Sequence, residues 1–164
     1  MYLMEQFYRK ILKKEPPYYV KYSLTTIVWK PIRKYINVVI IPNTPFSNLR
    51  VILYRMLGFQ IGNNVFIGMK CYLDDIDPQK TIIEDDVVIS YGCYFACHGK
   101  GQGHTDIIIK RGAYLGMRSN VVSGKNGITI GEHAVIAAGS LVHKNVPSDT
   151  TVGGVPIKKI VYDK

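Results

Sequence analysis

The sequence predicts a mainly β protein, in which short parallel strands wind into a triangular solenoid behind an N-terminal helical segment. Three observations support this fold class. From residue 61 onward the chain has an internal repeat of six residues, glycine often follows the repeated aliphatic residue, and residues 1–60 lack the repeat. Residues 1–60 are therefore predicted to form a basic helical segment, and residues 61–164 the β-solenoid domain with its C-terminal tail.

The N-terminal segment is basic, and its apolar residues have helical spacing. Ten Lys or Arg residues against two Glu give residues 1–60 a net charge of +8, whereas residues 61–164 carry +1. A first helix is predicted to end before Pro16. Its apolar stripe, flanked by cations, comprises Leu3, Met4, Phe7, Tyr8, Ile11 and Leu12. A second helix is predicted over residues 47–57 and ends at Gly58.

Two interpretations of this segment stay open. Its stripe either packs against the solenoid or lies on an anionic membrane surface, where interfacial aromatic residues would add contact. Such residues follow the first helix at Tyr18, Tyr19, Tyr22 and Trp29. No apolar run is long enough to span a bilayer, no secretory signal is recognisable, and the three cysteines form no disulfide framework. These observations predict a cytoplasmic protein, with any membrane contact confined to the inner surface.

An apolar residue recurs every six residues from residue 61, and the repeat defines the solenoid. Three sixes make one triangular coil of eighteen residues, whose repeated side chains point inward and stack on those of the next coil. The fifth position of each six is small or β-branched, so Cys71 and Cys93 are interpreted as packing residues. The twelve repeated positions are Ile61, Ile67, Leu73, Ile83, Ile89, Phe95, Ile109, Leu115, Val121, Ile130, Ile136 and Val142.

The longest interruption of the repeat is residues 101–108, GQGHTDII, between the second and third predicted coils. Insertions in a solenoid collect on one face, which is often the binding face. His98 ends the second coil and His104 lies in the interruption, so the functional site is predicted here. The glycines of this loop lack the Lys-Ser/Thr ending of a phosphate-binding loop.

The repeat resembles that of the hexapeptide-repeat acyltransferases. The stretch LRVILYRMLGFQIGNNVFIG looks like the entry helix and first coil of sugar O-acetyltransferases in that family, and IGEHAVIAAGSLVHKNVPSDTTVGGVPIKKI resembles its closing coil and C-terminal Gly-x-Pro turn. The resemblance implies a left-handed parallel β-helix and a homotrimer. It also implies that acetyl-CoA lies between neighbouring subunits and that the acceptor is a carbohydrate hydroxyl, in the synthesis of a surface polysaccharide.

The same resemblance implies that His98 is the general base of a direct transfer without an acyl-enzyme. The family often has Thr-His-Asp at this point, whereas this chain has Cys97-His98-Gly99. Asp74 and Asp75, in the preceding coil, are therefore the candidates to orient the imidazole. A Cys97 thiolate nucleophile is the alternative, disfavoured because adjacent residues on a strand point to opposite sides.

The remaining candidate residues contact the two substrates. His104, followed by Thr105 and Asp106, resembles the loop histidine of serine acetyltransferases, and together with Cys97 it is a candidate for substrate contact. Small residues on the coils beyond the histidine would admit the pantetheine arm of acetyl-CoA, and lysines would face its phosphates. These cofactor-binding candidates are Gly116, Ala137, Ala138, Lys144, Lys158 and Lys159.

Other functions stay open from the sequence alone. N-acetylation of an amino-sugar nucleotide would use the same base and the same donor. Trimeric β-helix enzymes of the carbonic anhydrase type bind zinc with three histidines, but the spacing of His98 and His104 lacks that pattern, so no metal is expected. A trimeric scaffold without catalysis is a further possibility. Nucleic acid is disfavoured as a partner, because no groove-entering motif is present.

Overall fold

The computed structural model describes residues 9–13, 15, 24–98 and 103–161, without the side chains of residues 24–27. The chain forms two compact units, Met1–Tyr35 and Ile36–Lys164. The division into a basic helical segment, residues 1–60, and a β-solenoid domain with its C-terminal tail, residues 61–164, stays a prediction. Within the described ranges, no helix is long and apolar enough to cross a bilayer. Several residues of the predicted interfacial segment lie outside the described residues, namely Leu3, Met4, Phe7, Tyr8, Tyr18, Tyr19 and Tyr22.

Helical elements precede the solenoid. Helix α1 spans Leu24–Tyr35, a π-helix spans Ile36–Ile40, and the short helix α2 spans Ile41–Asn43. Helix α3 spans Ser47–Met56, which confirms the second predicted helix, and the chain turns after it at Gly58 with φ +100°. The sequence did not predict α1, which contains a proline in its interior.

The solenoid is built from very short strands that follow one another at nearly regular intervals. The 3₁₀ turn Pro78–Lys80 precedes the third of them. In chain order they are β1 (Gln60–Ile61), β2 (Phe66–Ile67), β3 (Thr81–Ile83), β4 (Val88–Ile89), β5 (Tyr94–Ala96), β6 (Ile107–Ile109), β7 (Tyr114–Leu115), β8 (Asn120–Val122), β9 (Ile128–Ile130), β10 (Val135–Ile136), β11 (Leu141–Val142), β12 (Thr151–Gly153) and β13 (Lys158–Lys159).

The strands form three sheets, which the chain visits in rotation. Sheet A has the order β1-β3-β6-β9, sheet B the order β2-β4-β7-β10-β12-β13, and sheet C the order β5-β8-β11. Every pair is parallel except β12 with β13, where the chain turns back at the C-terminal end. The repeated positions stand in register, as in the column Ile67, Ile89, Leu115 and Ile136. The predicted parallel solenoid is confirmed.

The repeated side chains fill the interior, as the period of six predicts. Eleven of the twelve are buried, and Ile61, in the first coil, is half-buried against the same core. The small fifth-position residues are buried too, including Cys71 and Cys93. The strands of sheet A begin earlier than predicted, because residues assigned to the interruptions join them. They add an inward column of Thr81, Ile107 and Ile128.

Side chains of the helical elements before the solenoid hydrogen-bond the main-chain carbonyl groups of the first coil. Within the solenoid, the N–H groups of one coil donate to the carbonyl oxygens of the next. The first coil has no coil before it, so side chains of the helical elements donate to its carbonyls instead. These pairs are Arg55 Nε with Ile61 O (3.0 Å), Arg50 Nε with Ile67 O (2.8 Å), Tyr54 Oη with Cys71 O (3.0 Å) and Asn37 Nδ2 with Leu73 O (2.8 Å).

A pair of adjacent valines on β8 tests the inward register. Val121 is fully buried and Val122 is 36% exposed, so Val121→Asp should unfold the domain whereas Val122→Asp should leave it folded. An unpaired carboxylate in the core costs several kcal/mol, roughly 3 or more, which is a large part of the stability of a small domain. Thermal unfolding of the two variants by circular dichroism is the measurement, and equal melting temperatures would contradict the register.

Candidate active site

His98 lies where the second coil leaves sheet C, and it faces a buried carboxylate of the preceding coil. Its Nδ1 donates a hydrogen bond to Oδ2 of Asp74, across 24 residues of sequence. The Asp74 side chain is fully buried, whereas 42% of the His98 side chain is exposed. The imidazole is therefore anchored on one side by the protein interior and open to solvent on the other.

Asp74 is held rigidly by main-chain donors as well as by the histidine. Its Oδ2 also accepts from the Cys97 amide at 2.9 Å, and its Oδ1 accepts from the Ile76 amide at 3.2 Å. Buried carboxylates require such partners, because an unpaired one is strongly unfavourable. Asp75 is buried next to it and accepts from Tyr72 Oη at 3.2 Å. Of the two predicted orienting residues, Asp74 is thus the one in contact with His98.

Cys97 points into the solenoid, away from the exposed side of His98. Its side chain is 1% exposed and its Sγ lies 3.3 Å from Thr81 Oγ1. Burial raises the pKa of the Cys97 thiol to about 11, so the group is protonated at neutral pH. A thiolate nucleophile at this position is therefore disfavoured by both geometry and protonation.

The loop after His98 returns to the site through a short set of polar contacts. Residues 99–102 lie outside the described residues. His104 is exposed and lies beside His98, with the ring centroids 5.9 Å apart in edge-to-face geometry. The Thr105 amide donates to Cys97 O at 2.9 Å, and Thr105 Oγ1 donates to Ser123 Oγ at 2.8 Å. The far end is tied by an ion pair of 3.0 Å between Asp106 and Lys80.

The small residues predicted to admit acetyl-CoA lie on a different edge of the solenoid. Gly116 directly follows β7, and Ala137 and Ala138 directly follow β10, so all three lie where the chain passes from sheet B to sheet C. This B–C edge is distinct from the C–A edge, where the chain passes from sheet C to sheet A and where His98 lies. Within one chain, the cofactor-binding candidates Gly116, Ala137 and Ala138 therefore lie on a different edge from His98. Ala138 is exposed and Ala137 half-buried, which leaves this stretch open to a ligand.

The predicted phosphate-binding lysines are all exposed but scattered. Lys144 lies two residues after β11 on the C–A edge, two coils beyond His98, which corresponds to about 10 Å at the spacing of paired strands. Lys158 and Lys159 form β13, on the strand that turns back along sheet B. The lysines thus flank the last coils without converging on one point.

No metal cluster is present in the parts of the chain that the structure describes. No three His, Cys, Asp or Glu side chains there are arranged to hold an ion. His133 and His143 are exposed and lie on the last coils, apart from His98 and His104.

The sequence did not predict three residues whose side chains contact the candidate site residues or the loop after His98. Thr81 contacts the Cys97 thiol, Ser123 receives the loop, and Tyr72 donates to Asp75. Thr81 and Ser123 are buried polar residues. Thr81 is a polar residue in a column otherwise formed by Ile107 and Ile128, and this exception is the sequence signal that could have identified Thr81.

Comparison with known proteins identifies the repeat and its relatives. The model of the hexapeptide repeat of succinyl-transferase matches residues 59–95 and 107–144, on either side of the loop. The candidate acetyltransferase YvoF of Bacillus subtilis (strain 168) is 28% identical over 145 residues, covering 82% of this chain and 78% of that protein. Galactoside O-acetyltransferase of Escherichia coli (strain K12) is 31% identical over 116 residues, covering 62% of this chain. The chain spans 56%, or about half, of the galactoside enzyme.

A solved structure has the same architecture over nearly the whole chain. The hexapeptide-repeat acetyltransferase VCA0836 of Vibrio cholerae O1 biovar eltor, complexed with acetyl coenzyme A, superposes with a TM-score of 0.67. The match covers 93% of this chain and 95% of that one, at 24% identity, and it establishes the fold.

A substitution at Gly116, on the B–C edge, tests whether the fold itself or a bound ligand requires glycine at this position. A Cβ at this position would lie 2.6 Å from Ala138 N and 2.7 Å from Ile136 O, whereas a Cβ at Gly124 would meet nothing within 4 Å. Gly116→Ala should therefore lower the melting temperature without any ligand, and Gly124→Ala should not. A Gly116→Ala protein of unchanged stability would show that the coil can relax here, and that glycine serves a ligand instead.

Proposed function

The chain belongs to the hexapeptide-repeat acetyltransferase family, and from that premise we propose that it transfers the acetyl group of acetyl-CoA to a hydroxyl group of a carbohydrate. The observation that supports this proposal is the pairing of a half-exposed histidine with a buried aspartate, His98 with Asp74. Such a pair is suited to take a proton from a hydroxyl near neutral pH.

The hydrogen bond to Asp74 supports Nε2 as the nitrogen of His98 that acts as the base. A carboxylate accepts but does not donate, so the hydrogen resides on Nδ1 and the lone pair on Nε2. Nε2 takes the proton of the acceptor hydroxyl as the oxygen attacks the thioester carbon. The C–S bond then breaks, the imidazolium returns this proton from Nε2 to the leaving sulfur, and the products are the thiol of CoA and the acetyl ester. The carboxylate stabilises the imidazolium that exists in between.

The separation of the two edges supports a site shared between subunits. The base lies on the C–A edge, whereas the small residues Gly116, Ala137 and Ala138 lie on the B–C edge. In a closed homotrimer, the C–A edge of one subunit can face the B–C edge of the next. Acetyl-CoA would then lie along the B–C edge with its thioester at the neighbouring His98, and the exposed lysines Lys144, Lys158 and Lys159 would be available to its phosphates.

The acceptor class is proposed from the relatives and from the open side of the site. One relative is a galactoside O-acetyltransferase, whose name gives a sugar as its acceptor. His104, exposed and in edge-to-face contact with His98, is available to hydrogen-bond an acceptor hydroxyl. We propose a glycan of a surface polysaccharide or its lipid-linked precursor as the acceptor, with the enzyme at the cytoplasmic face of the membrane.

The first experiment tests the reaction and its base together. A panel of sugars, amino sugars and their nucleotide derivatives is incubated with acetyl-CoA, and CoA release is followed with a thiol reagent. His98→Ala should lower kcat by about a hundredfold or more, the scale of losing a general base, with little change in KM for acetyl-CoA. Asp74→Asn should lower kcat as well, because an amide does not hold the Nδ1–H tautomer.

His143→Ala is the matched control, since His143 is exposed and lies outside the site. Full activity of His98→Ala would refute the assignment of the base. Loss of activity in Cys97→Ala with activity retained in His98→Ala would instead indicate an acyl-enzyme on the thiol. Acetylation of amino sugars alone would change the proposal from O- to N-transfer.

The second experiment tests the shared site. Sedimentation should give a trimer, and two inactive variants altered on opposite edges should restore activity when their subunits are mixed. His98→Ala removes the base on the C–A edge, and Ala138→Trp blocks the B–C edge. A mixed trimer contains some interfaces in which both edges are intact, so activity should reappear after the variants are unfolded and refolded together. A monomer, or no recovery from mixtures that do form trimers, would contradict the shared site.

A further inference from the structure

Helix α1 has an exposed apolar face that the proposed acetyl transfer does not use. Val28, Ile32 and Tyr35 follow one another at helical spacing, and Trp29 lies at the border of the same face. Their exposed fractions are 59%, 45%, 59% and 51%, in the order Val28, Ile32, Tyr35, Trp29. Scattered apolar residues on a surface are ordinary, but four on one face of a twelve-residue helix form a continuous patch.

The rest of α1 is cationic. Lys30, Arg33 and Lys34 occupy the other side of the helix, and α1 contains no acidic residue. The two lysines are exposed. An apolar stripe with tryptophan and tyrosine, bordered by lysine and arginine, is the composition of helices that lie in the interface of a membrane. Protein interfaces differ, because lysine is depleted there relative to the rest of the surface.

The positive charge of α1 and of the chain around it indicates that an anionic surface would bind this segment. Between Glu15 and Asp74 the chain contains seven Lys or Arg residues and no Asp or Glu. A segment of this charge is attracted to anionic lipid headgroups, and no carboxylate within it opposes the approach. A purely zwitterionic surface would leave this charge unused.

We propose that helix α1, Leu24–Tyr35, forms a docking surface for an anionic lipid bilayer. Val28, Trp29, Ile32 and Tyr35 enter the interface, while the lysines contact the headgroups. The sequence alone predicted this role for residues 1–40, from the stripe between Leu3 and Leu12 together with the aromatic residues that follow it, Trp29 included. Of the stripe, the structure describes Ile11 and Leu12, which are 67% and 43% exposed. The inference rests on the proposed function only for its biological reason, a lipid-linked acceptor at the same surface.

Trp29 is the single tryptophan of the chain, so its fluorescence reports on the docking surface directly. The full-length protein is mixed with vesicles of phosphatidylcholine containing an equal amount of phosphatidylglycerol, and separately with phosphatidylcholine alone. With the anionic vesicles at low salt, the emission should shift to shorter wavelength, and bromine atoms on the acyl chains should quench it. High salt should reverse both effects, because exposed charges are then screened.

Variants outside the reporter residue identify the face. Val28→Ser and Ile32→Ser should each lower the partition into anionic vesicles by about tenfold, the effect of removing one buried aliphatic side chain. Val161→Ser is the matched control, since Val161 is 74% exposed and lies at the other end of the chain. Equal binding of all three variants would overturn the proposal.

Three other outcomes would also overturn it. They are an unchanged emission with anionic vesicles, a shift of equal size with phosphatidylcholine alone, and a shift without lipid that grows with protein concentration, which would mean that a second copy covers the face. Acetylation of a soluble sugar is measured in parallel and should be retained in Ile32→Ser. Vesicle binding without any acetyl transfer would refute the proposed function but not the docking surface. Acetyl transfer without vesicle binding would refute the docking surface but not the proposed function.

Discussion

The backbone hydrogen bonding between successive coils is the constraint on which the rest of the structure depends. Each coil donates its N–H groups to the next, so a coil is complete only when both of its neighbours are present. The first coil has no predecessor, and Arg50, Tyr54 and Asn37, all buried, donate to its carbonyls in place of one. At the other end the chain turns back as β13 and pairs antiparallel with β12. The helical elements from Ile36 to Met56 are therefore part of the folded domain, whatever further role the segment before them has.

The same inter-coil register creates the candidate active site. Tyr72 pairs with Tyr94, so Asp74 lies under the end of β5 and reaches both the Cys97 amide and the His98 imidazole. The carboxyl group is fully buried because the stacked coils surround it, and main-chain amides and the histidine supply its hydrogen-bond partners. A histidine at the same place on an isolated loop would lack this fixed orientation.

The proposed arrangement divides the tasks of an acyltransferase between two edges of one solenoid. His98, the proposed base, is on the C–A edge and has His104 beside it. Ala137 and Ala138, the residues proposed to admit acetyl-CoA, are on the B–C edge. Every coil of a repeat fold presents the same edges. Two edges from neighbouring subunits can therefore form one site without any additional structural element. The docking surface proposed on α1 would add a third task, outside the repeat.

The sequence by itself determined the solenoid, because a period of six leaves one way to bury twelve apolar side chains, and eleven of them are buried. It also predicted His98 as a site residue, through the interruption that follows it, and that role stays a prediction. Only the tertiary structure selected Asp74 over Asp75, showed that the Cys97 thiol points inward, and assigned Asn37, Arg50 and Tyr54 to the open edge. Each of these depends on contacts between residues far apart in the chain, where rotamer and register decide which of two neighbouring side chains meets its partner. A linear pattern specifies which residues face inward, but the partner of each polar group is determined by packing between coils.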